Sequence, residues 1–169
     1  MGDSAIKKKQ KIIAVCGVKN SGKTTLLEKM VKELTKRGKK TAVIKHDGHD
    51  FSCDIPGTDS FRLKETGAYG TAVFSDSRTF IHKTGTKAEA EDMIKMFPEA
   101  DIILLEGMKE SDLPKIELIR EGISRKPVSD SRGRFLIVTD RDPEEYAEET
   151  AGFEDISRII EKIEEMERG

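Results

Sequence analysis

Residues 17–24 read GVKNSGKT, and this stretch matches the phosphate-loop pattern G-x-x-x-x-G-K-[ST] in full. In that pattern, Gly17 and Gly22 let backbone N–H groups wrap closely around a phosphate chain. Lys23 can reach the outer phosphates, and the hydroxyl of Thr24 can bind Mg²⁺. The stretch therefore predicts a binding site for a nucleotide or another polyphosphate. The loop residues Asn20 and Ser21 belong to the predicted nucleotide-binding set.

The sequence on either side of the loop supports this prediction. The preceding residues 11–16, KIIAVC, are apolar and rich in β-branched side chains, as expected for a buried strand. After the loop, apolar residues recur at helical spacing: Leu26, Leu27, Met30, Val31 and Leu34. A strand, a loop and a helix in this order form the context in which the motif binds phosphate. The alternative is an ordinary glycine-rich turn between a strand and a helix.

The composition restricts the classes of function that remain. With 169 residues, the chain has the length of one domain, and we expect residues 1–169 to form a single nucleotide-binding domain. Its 30 basic and 32 acidic residues nearly balance, and aromatic residues make up only 5%, so no nucleic-acid surface is predicted. The short apolar run after the N-terminal lysines argues against a signal peptide or a membrane span. Cys16 and Cys53 lack metal-ligand spacing, which is typical of a reduced, cytoplasmic protein.

A polar loop follows the second predicted strand. Residues 41–44, TAVI, read as a short buried strand, parallel to the first through a right-handed crossover. The loop after it, residues 45–60, faces the ligand crevice of a doubly wound sheet. In a functional interpretation, carboxylates of this region help to hold Mg²⁺ or a bound water, and cationic side chains contact an anionic ligand. The carboxylates are Asp47, the catalytic candidate, Asp50 and Asp54, and the cationic side chains are His46, His49 and Arg62.

Two other interpretations of this loop stay open. In the first, it is a solvated loop whose Asp and Gly residues form turns, with Thr58 or Asp59 capping a short helix. In the second, His46, His49 and Cys53 hold a transition metal, because their ligand types suit such a metal although their spacing matches no standard pattern.

The middle of the chain predicts a hairpin and a helix. Residues 70–74 and 79–82 flank a tight polar turn, which indicates two antiparallel strands at one edge of the sheet. His82 is interpreted as a packed or surface histidine, since nothing nearby could complete a site. Thr86 and Glu89 then form a capping box that opens a helix, which ends before the next proline.

The sequence DIILLEG, residues 101–107, is the second stretch with a chemical signature. A continuous apolar strand ends in Glu106. The strand that accompanies a phosphate loop likewise ends in an acidic residue. An acid at this place holds Mg²⁺ through water or orients the attacking water. Glu106 is therefore a candidate catalytic residue and, with Thr24, a candidate metal ligand. A strand that ends in glutamate is also common without any such role.

The C-terminal third offers candidates whose roles stay open. Lys109, Lys115 and Arg120 can serve anionic ligands. Alternatively, Lys115, Glu117 and Arg120 decorate a sheet edge or make surface ion pairs that contribute very little. Residues 135–138, FLIV, form the last predicted strand, and Asp140 beyond it can present its carboxylate to guanine. Alternatively, the following sequence DPEE starts an ordinary capped helix. An amphipathic helix closes the chain.

Three segments together resemble the molybdopterin-guanine dinucleotide biosynthesis adaptor (MobB) family. They are IIAVCGVKNSGKTTLLEKMVKEL from residue 12, AVIKHDGHDF with CDIPGTDSFR from residue 42, and DIILLEGMKES with LPKIEL from residue 101. The phosphate loop is generic, whereas the elements KHD-x-HDF, D-x-PG-x-DS-x-R and EG-x-K to PKIE are typical of that family. The similarity spans nearly the whole chain.

The resemblance implies a GTP-binding protein with slow GTP hydrolysis, usually a homodimer, that assists the guanylyltransferase which attaches GMP to molybdopterin. It implies that Gly22, Lys23, Thr24 and Thr25 hold the phosphates and Mg²⁺. A neighbouring surface for a partner or cofactor is implied by the same resemblance at Asp59, Ser60, Arg62, Lys109 and Lys115, and His46 and Asp54 complete it. The sequence TDRD at residues 139–142 differs from the N-K-x-D guanine-reading motif, so a preference for guanine is implied by the family alone.

The predicted fold is a three-layer α/β P-loop NTPase with a mainly parallel sheet, helices on both faces and an antiparallel hairpin at one edge. A small-molecule kinase would share this arrangement and would use Arg125, Arg132 and Arg134 as a lid. A metallochaperone GTPase would instead use the histidines and the cysteine of the polar loop. Because no arginine finger or water-orienting glutamine is evident near the phosphate loop, we expect slow hydrolysis and no kinase activity.

Overall fold

The computed structural model describes residues 10–48, 51–85 and 87–166. Its elements are β1 Lys11–Gly17, α1 Lys23–Lys36, β2 Thr41–Lys45, α2 Asp59–Glu65, β3 Gly70–Phe74, β4 Thr79–Lys83, α3 Ala90–Lys95, β5 Ile102–Glu106, β6 Lys115–Ile119, β7 Arg134–Thr139, a 3₁₀-helix Pro143–Glu145, β8 Thr150–Ala151 and α4 Ile156–Glu165. They divide into two compact units, of which the second is Asp47–Asp92 and the first comprises the residues on either side of it. The phosphate-loop sequence belongs to the first unit. A single nucleotide-binding domain stays a prediction.

A six-stranded sheet in the order β2-β5-β1-β6-β7-β8 forms the centre of the first unit, and its described ladders are all parallel. The strand sequences are continuous apolar runs because both faces of a parallel sheet are covered. All five residues of β6, for example, are buried. Strand β2 is parallel to β1 as predicted, although β5 lies between them. The phosphate loop therefore leaves the sheet near its middle, with β5 and β6 on its two sides.

Different helices cover the two faces of this sheet. On one face, α1 and α4 pack into a cluster that includes Met30 and Ile160. On the other face, Ile94 of α3 packs against Ile103 and Leu105. Since side chains alternate along a strand, β5 contributes to both clusters. The predicted helices on both faces are confirmed.

The second unit contains α2 and the hairpin of β3 and β4. Thr58 caps α2, and its Oγ1 accepts a hydrogen bond from Phe61 N at 3.4 Å. The hairpin is antiparallel as predicted, with Phe74 opposite Thr79 next to the turn. It forms a two-stranded sheet of its own instead of extending the edge of the six-stranded sheet, because its described ladder hydrogen bonds join only β3 and β4.

The chain after β7 departs from the prediction of a last strand there. Strand β8 adds two residues to the sheet, which is too short for periodicity to indicate. The sequence before it forms the predicted capped helix start, as a 3₁₀-helix in which Asp142 accepts a hydrogen bond from Glu144 N at 3.0 Å. In the predicted capping box before α3, Thr86 lies outside the described residues. No helix in the described part of the chain is both long and apolar enough to span a bilayer.

Candidate nucleotide-binding site

The phosphate loop begins at the carboxyl end of β1, where its backbone requires glycine. Gly17 has a φ of 145°. A Cβ at this position would lie 2.7 Å from Ser21 Oγ and 2.9 Å from the carbonyl oxygen of Leu118 in β6. Real Cβ atoms do not approach other atoms so closely. The loop therefore folds tightly on itself and on the neighbouring strand, in the way that a phosphate cradle needs.

Two residues in the left-handed conformation lead the chain from the loop into α1. Asn20 has a φ of 65° and Gly22 a φ of 95°, which these two residue types adopt at little cost. Gly22 occupies the N-cap of α1 but has no side chain that could cap the helix. The positive end of the helix dipole therefore lies at the loop, where the exposed Thr24 and Thr25 form the first turn.

The loop's own side chains fit a phosphate ligand. Nζ of Lys23 donates hydrogen bonds to the carbonyl oxygens of Gly17 at 3.0 Å and Val18 at 2.8 Å, which holds the ammonium group at the loop. Ser21 is fully buried, and its Oγ has no hydrogen-bond partner among the residues that the structure describes. Leaving a buried polar group unpaired costs about 1–3 kcal/mol. The hydroxyl of Ser21 is thus a donor that a bound anion would satisfy.

Glu106 ends β5 in a row of residues that crosses three strands. Its register partners are Val15 in β1 and Lys45 in β2. Two backbone hydrogen bonds fix this edge, from Gly107 N to Val15 O at 3.0 Å and from His46 N to Glu106 O at 3.1 Å. Glu106 is half-buried and lies on the strand beside the one that leads into the phosphate loop. This is the position expected of a metal-associated acid.

Cys16 lies in β1 at the same edge of the sheet, and its thiol has a structural role. Its Sγ donates a hydrogen bond to Gly107 O at 3.1 Å. Burial, and then the negative charge of Glu117, raise the pKa of Cys16 to about 12. The thiol is therefore protonated at neutral pH and is no nucleophile, since the thiolate is the reactive form.

Arg120, one of the candidates for contact with anionic ligands, brings a positive charge to the phosphate loop, where no arginine finger was evident from the sequence. Its Nη1 lies 3.4 Å from the position that a Cβ on Gly22 would take, and its Cζ lies 4.2 Å from the centre of the Phe153 ring. The register explains this, because Leu118 in β6 pairs with Gly17 and Arg120 follows two residues later. In the sequence, Arg120 stands directly after an apolar strand. The end of an apolar strand is also the signal that indicated Glu106.

Asp140, the candidate guanine reader, bonds to the protein itself. Its Oδ1 accepts a hydrogen bond from Glu121 N at 2.7 Å, and its Oδ2 lies 3.8 Å from Nε of Arg120. The carboxylate thus holds the start of the loop that follows β6. A contact between Asp140 and guanine stays a prediction.

Comparison with known protein families places the chain. The model of the family described as molybdopterin guanine dinucleotide synthesis protein B (MobB) matches residues 12–140. The chain belongs to this family. The match includes the phosphate loop, the polar loop after β2 and Glu106, and it ends at Asp140 directly after β7. The resemblance found in the sequence is confirmed.

Relatives and solved structures agree with this membership in the MobB family. A molybdopterin-guanine dinucleotide biosynthesis adapter protein of Haemophilus influenzae is 33% identical over 156 residues, which cover 90% of this chain and 87% of the relative. The Escherichia coli protein of the same name is 36% identical over 122 residues, 69% of each chain. The crystal structure of Bacillus subtilis MobB superposes with a TM-score of 0.68 at 22% identity, over 90% of this chain and 97% of the other. A MobB homolog from Bacillus stearothermophilus gives 0.65 at 21% identity, over 90% and 97%. The predicted fold class is confirmed.

In this MobB-family chain, Lys115 does not lie on the predicted partner surface. It is fully buried, and its Nζ donates hydrogen bonds to the carbonyl oxygens of Ser111, Leu113 and Arg132. The alternative of a sheet edge is also wrong, because β6 lies inside the sheet. Lys115 therefore fastens two loops to the sheet. Lys109 is exposed and stays a candidate for the surface.

The predicted surface residues of the second unit make the contacts of a capped helix start. Asp54 Oδ1 accepts hydrogen bonds from Ser60 Oγ at 3.1 Å and from Thr58 Oγ1 at 3.4 Å. Asp59 and Arg62 form an exposed ion pair at 3.6 Å. These contacts agree with the turn interpretation of the loop. The exposed members keep their predicted surface role.

The remaining candidates concern metal binding and catalysis. His46 and Cys53 are exposed, whereas His49 and Asp50 lie outside the described residues. Within the described ranges, no group of three or more His, Cys, Asp or Glu side chains is arranged to hold a metal ion. A transition-metal set that includes His49 therefore stays untested. Asp47 is exposed and begins the second unit, and its catalytic role stays a prediction.

Proposed function

We propose that this chain is a GTP-binding adaptor in the biosynthesis of molybdopterin guanine dinucleotide. The phosphate loop carries the proposal, because its glycine-dependent backbone, Lys23 and the unpaired hydroxyl of Ser21 suit a triphosphate. The description of the family to which the chain belongs names the synthesis of that dinucleotide. Relatives in two organisms are named adapter proteins. Together these observations favour an adaptor that binds a guanine nucleotide.

In this proposal, different residues of the site bind the phosphates and the metal ion. Lys23 and the first turn of α1 bind the phosphates, while the oxygens of Thr24 and Glu106 hold Mg²⁺, which prefers such ligands. The metal ion supplies charge neutralisation at the phosphates. Glu106 is the proposed catalytic residue that orients a water molecule here, and a catalytic role of Asp47, which begins the second unit, stays a prediction.

We expect slow hydrolysis because the sequence offers no glutamine near the phosphate loop. Fast GTPases orient the attacking water with a glutamine, and the single glutamine of this chain is Gln10. Gln10 directly precedes β1, and its side chain donates hydrogen bonds to Phe97 O at 2.6 Å and Ala100 O at 3.1 Å. It is therefore at the end of the sheet opposite the phosphate loop. We propose a weak intrinsic GTPase that works as an adaptor.

A kinase is disfavoured because two of the arginines that a lid would need are already paired with carboxylates of the protein. Arg132 pairs with Asp130 at 2.9 Å and with Asp112 at 3.0 Å. Arg134 pairs with Glu148 at 2.5 Å and is nearly buried. Moving either arginine onto a substrate would break these contacts.

The proposed partner is the guanylyltransferase of the pathway, and we place the chain in the cytoplasm as a homodimer. Exposed polar side chains of the predicted surface, such as Asp59, Arg62 and Lys109, are available for that contact. The test is a pull-down with this chain as bait from cells that make molybdoenzymes. Recovery of the guanylyltransferase supports the adaptor, and robust phosphorylation of any metabolite in a panel would replace it with a kinase.

Nucleotide binding is tested with Lys23→Ala. Removing the ammonium group deletes a charge-assisted phosphate contact, so the affinity for GTP with Mg²⁺ should fall at least about tenfold. Calorimetric titration measures the affinity, and circular dichroism should show an unchanged fold. An undiminished affinity for GTP in the folded variant would contradict the assigned role of the loop. Titration with ATP in parallel tests the preference for guanine.

A further inference from the structure

The guanidinium group of Arg120 is held between an aromatic ring and the backbone of the phosphate loop. Its Cζ lies 4.2 Å from the centre of the Phe153 ring, which is within the range of a cation–π contact. Its Nη1, Cζ and Nη2 lie 3.4, 3.5 and 3.7 Å from the position of a Cβ on Gly22. The arginine thus reaches the loop directly before the first turn of α1.

The backbone of Arg120 is fixed as well. Its carbonyl oxygen accepts hydrogen bonds from Ile123 N at 3.0 Å and Ser124 N at 2.9 Å, and its N–H donates to Ser124 Oγ at 3.3 Å. The side chain therefore starts from a tight turn at the end of β6. The backbone here therefore has little conformational entropy left to lose when a ligand binds.

The hydrogen-bonding capacity of this group is not used up by the protein. Nε of Arg120 is buried and has no hydrogen-bond partner in the part of the chain that is described. The nearest carboxylate oxygen, Oδ2 of Asp140, lies 3.8 Å from Nε, beyond hydrogen-bond range. A charged group that is prearranged in this way but only partly satisfied is suited to an anionic ligand.

We propose that Arg120 is a further binding residue that donates hydrogen bonds to the phosphate chain of the nucleotide. This rests on the proposed function, in that a nucleotide occupies the phosphate loop. Phe153 and Gly22 hold the planar fork in place, and Asp140 keeps it oriented through their ion pair. The positive charges of Arg120 and Lys23 then lie on the loop together, next to the helix dipole of α1.

The test compares Arg120→Gln and Arg120→Lys with the unchanged chain in titrations with GTP, GMP and inorganic triphosphate. Arg120→Gln should weaken GTP and triphosphate by about 10–100-fold and GMP by less, because charge-assisted contacts are lost in proportion to the phosphates. Arg120→Lys keeps the charge without the fork and should lie between. The dependence of GTP affinity on salt should become shallower in Arg120→Gln.

Arg37→Gln is the matched control. Arg37 follows the last turn of α1, about 20 Å along the helix from the loop, and pairs with Glu33 and Glu164. The substitution Arg37→Gln removes the same charge from the chain and should leave the affinity for GTP unchanged. Phe153→Leu, which removes the ring under Arg120 but keeps an apolar side chain, should weaken GTP less than Arg120→Gln does.

Three outcomes would overturn the proposal. One is equal affinity of Arg120→Gln and the unchanged chain for GTP. Another is an equal loss for GTP and GMP with an unchanged salt dependence, which would indicate a purely structural role. If the unchanged chain binds neither GTP, ATP nor triphosphate, the proposed function itself fails and this inference falls with it.

Discussion

At the scale of the single residue, Gly17 is a position of the phosphate loop that tolerates little change. Gly17→Ala would place a Cβ 2.7 Å from Ser21 Oγ and 2.9 Å from Leu118 O, at a φ that side chains rarely adopt. We expect the free energy of unfolding to fall by about 2–4 kcal/mol, as overpacking and backbone strain add. Binding of GTP should be lost, since the loop must open to relieve the contact. Urea unfolding and calorimetric titration measure the two effects.

Gly38→Ala is the control for this prediction. Gly38 also has a positive φ, 73°, but nothing lies within 4 Å of an added Cβ. It ends α1 with a hydrogen bond from its N–H to Thr35 O at 2.9 Å. The variant should cost only about 1 kcal/mol of conformational strain and bind GTP normally. An equal loss of stability in both variants would show that strain alone, without the contacts of Gly17, explains the effect.

Residue roles were predictable where the motif encodes local backbone geometry and not where partners are remote. Gly17 and Gly22 follow from spacing, because their positive φ angles belong to the local backbone of the loop. Lys115 was assigned to the partner surface by resemblance to the family, whereas the structure buries it. Its partner Arg132 is 17 residues away, and the register that brings Arg120 to the loop depends on a strand pairing that spacing does not reveal.

At the scale of the element, β6 fastens the loops at both of its ends. Lys115→Met should lower the free energy of unfolding by about 2–4 kcal/mol. The reason is that methionine fills the same space but leaves the carbonyl oxygens of Ser111, Leu113 and Arg132 without their donor. Urea unfolding measures the loss, and limited proteolysis should cut the chain faster between residues 120 and 134.

Lys109→Met provides the comparison, because it makes the same exchange at an exposed position six residues earlier. Its stability should stay within about 0.5 kcal/mol of the unchanged chain. If Lys115→Met were equally stable, the three carbonyl groups would have to be satisfied by water, and the fastening role of Lys115 would be wrong.

The elements that build the site were predictable because each carries a strong local pattern. Strands β1, β2 and β5 are apolar runs, and α1 repeats apolar residues at helical spacing. Strand β8 was missed because Thr150–Ala151 is held by its ladder with β7, not by a pattern of its own. The hairpin of β3 and β4 was found, but its independence of the main sheet depends on pairings that alternation does not specify.

At the scale of the whole molecule, parallel pairing gathers the candidate residues at one edge of the six-stranded sheet. Glu106, Gly17, Arg120 and Asp140 follow or end four neighbouring strands, β5, β1, β6 and β7, at their carboxyl ends. Crevices at such edges are where open α/β sheets bind ligands. A nucleotide bound there would contact strands from the middle of the sheet. Its binding should therefore stabilise the whole fold against unfolding.

GTP with Mg²⁺ should therefore raise the melting temperature of the chain. A ligand that binds only the folded state stabilises it by about 2.7 kcal/mol at a hundredfold excess over Kd. For a chain of 169 residues this corresponds to a rise of about 5–10 °C. Among amides that exchange through local opening, hydrogen exchange should slow at residues 17–24 and after β5 and β6 and stay unchanged around Gln10 at the opposite end of β1. Lys23→Ala, with its lower affinity for GTP, should show both effects clearly reduced at the same nucleotide concentration. Equal local protection at both ends of the strands, or an undiminished shift in Lys23→Ala, would mean that the nucleotide binds elsewhere.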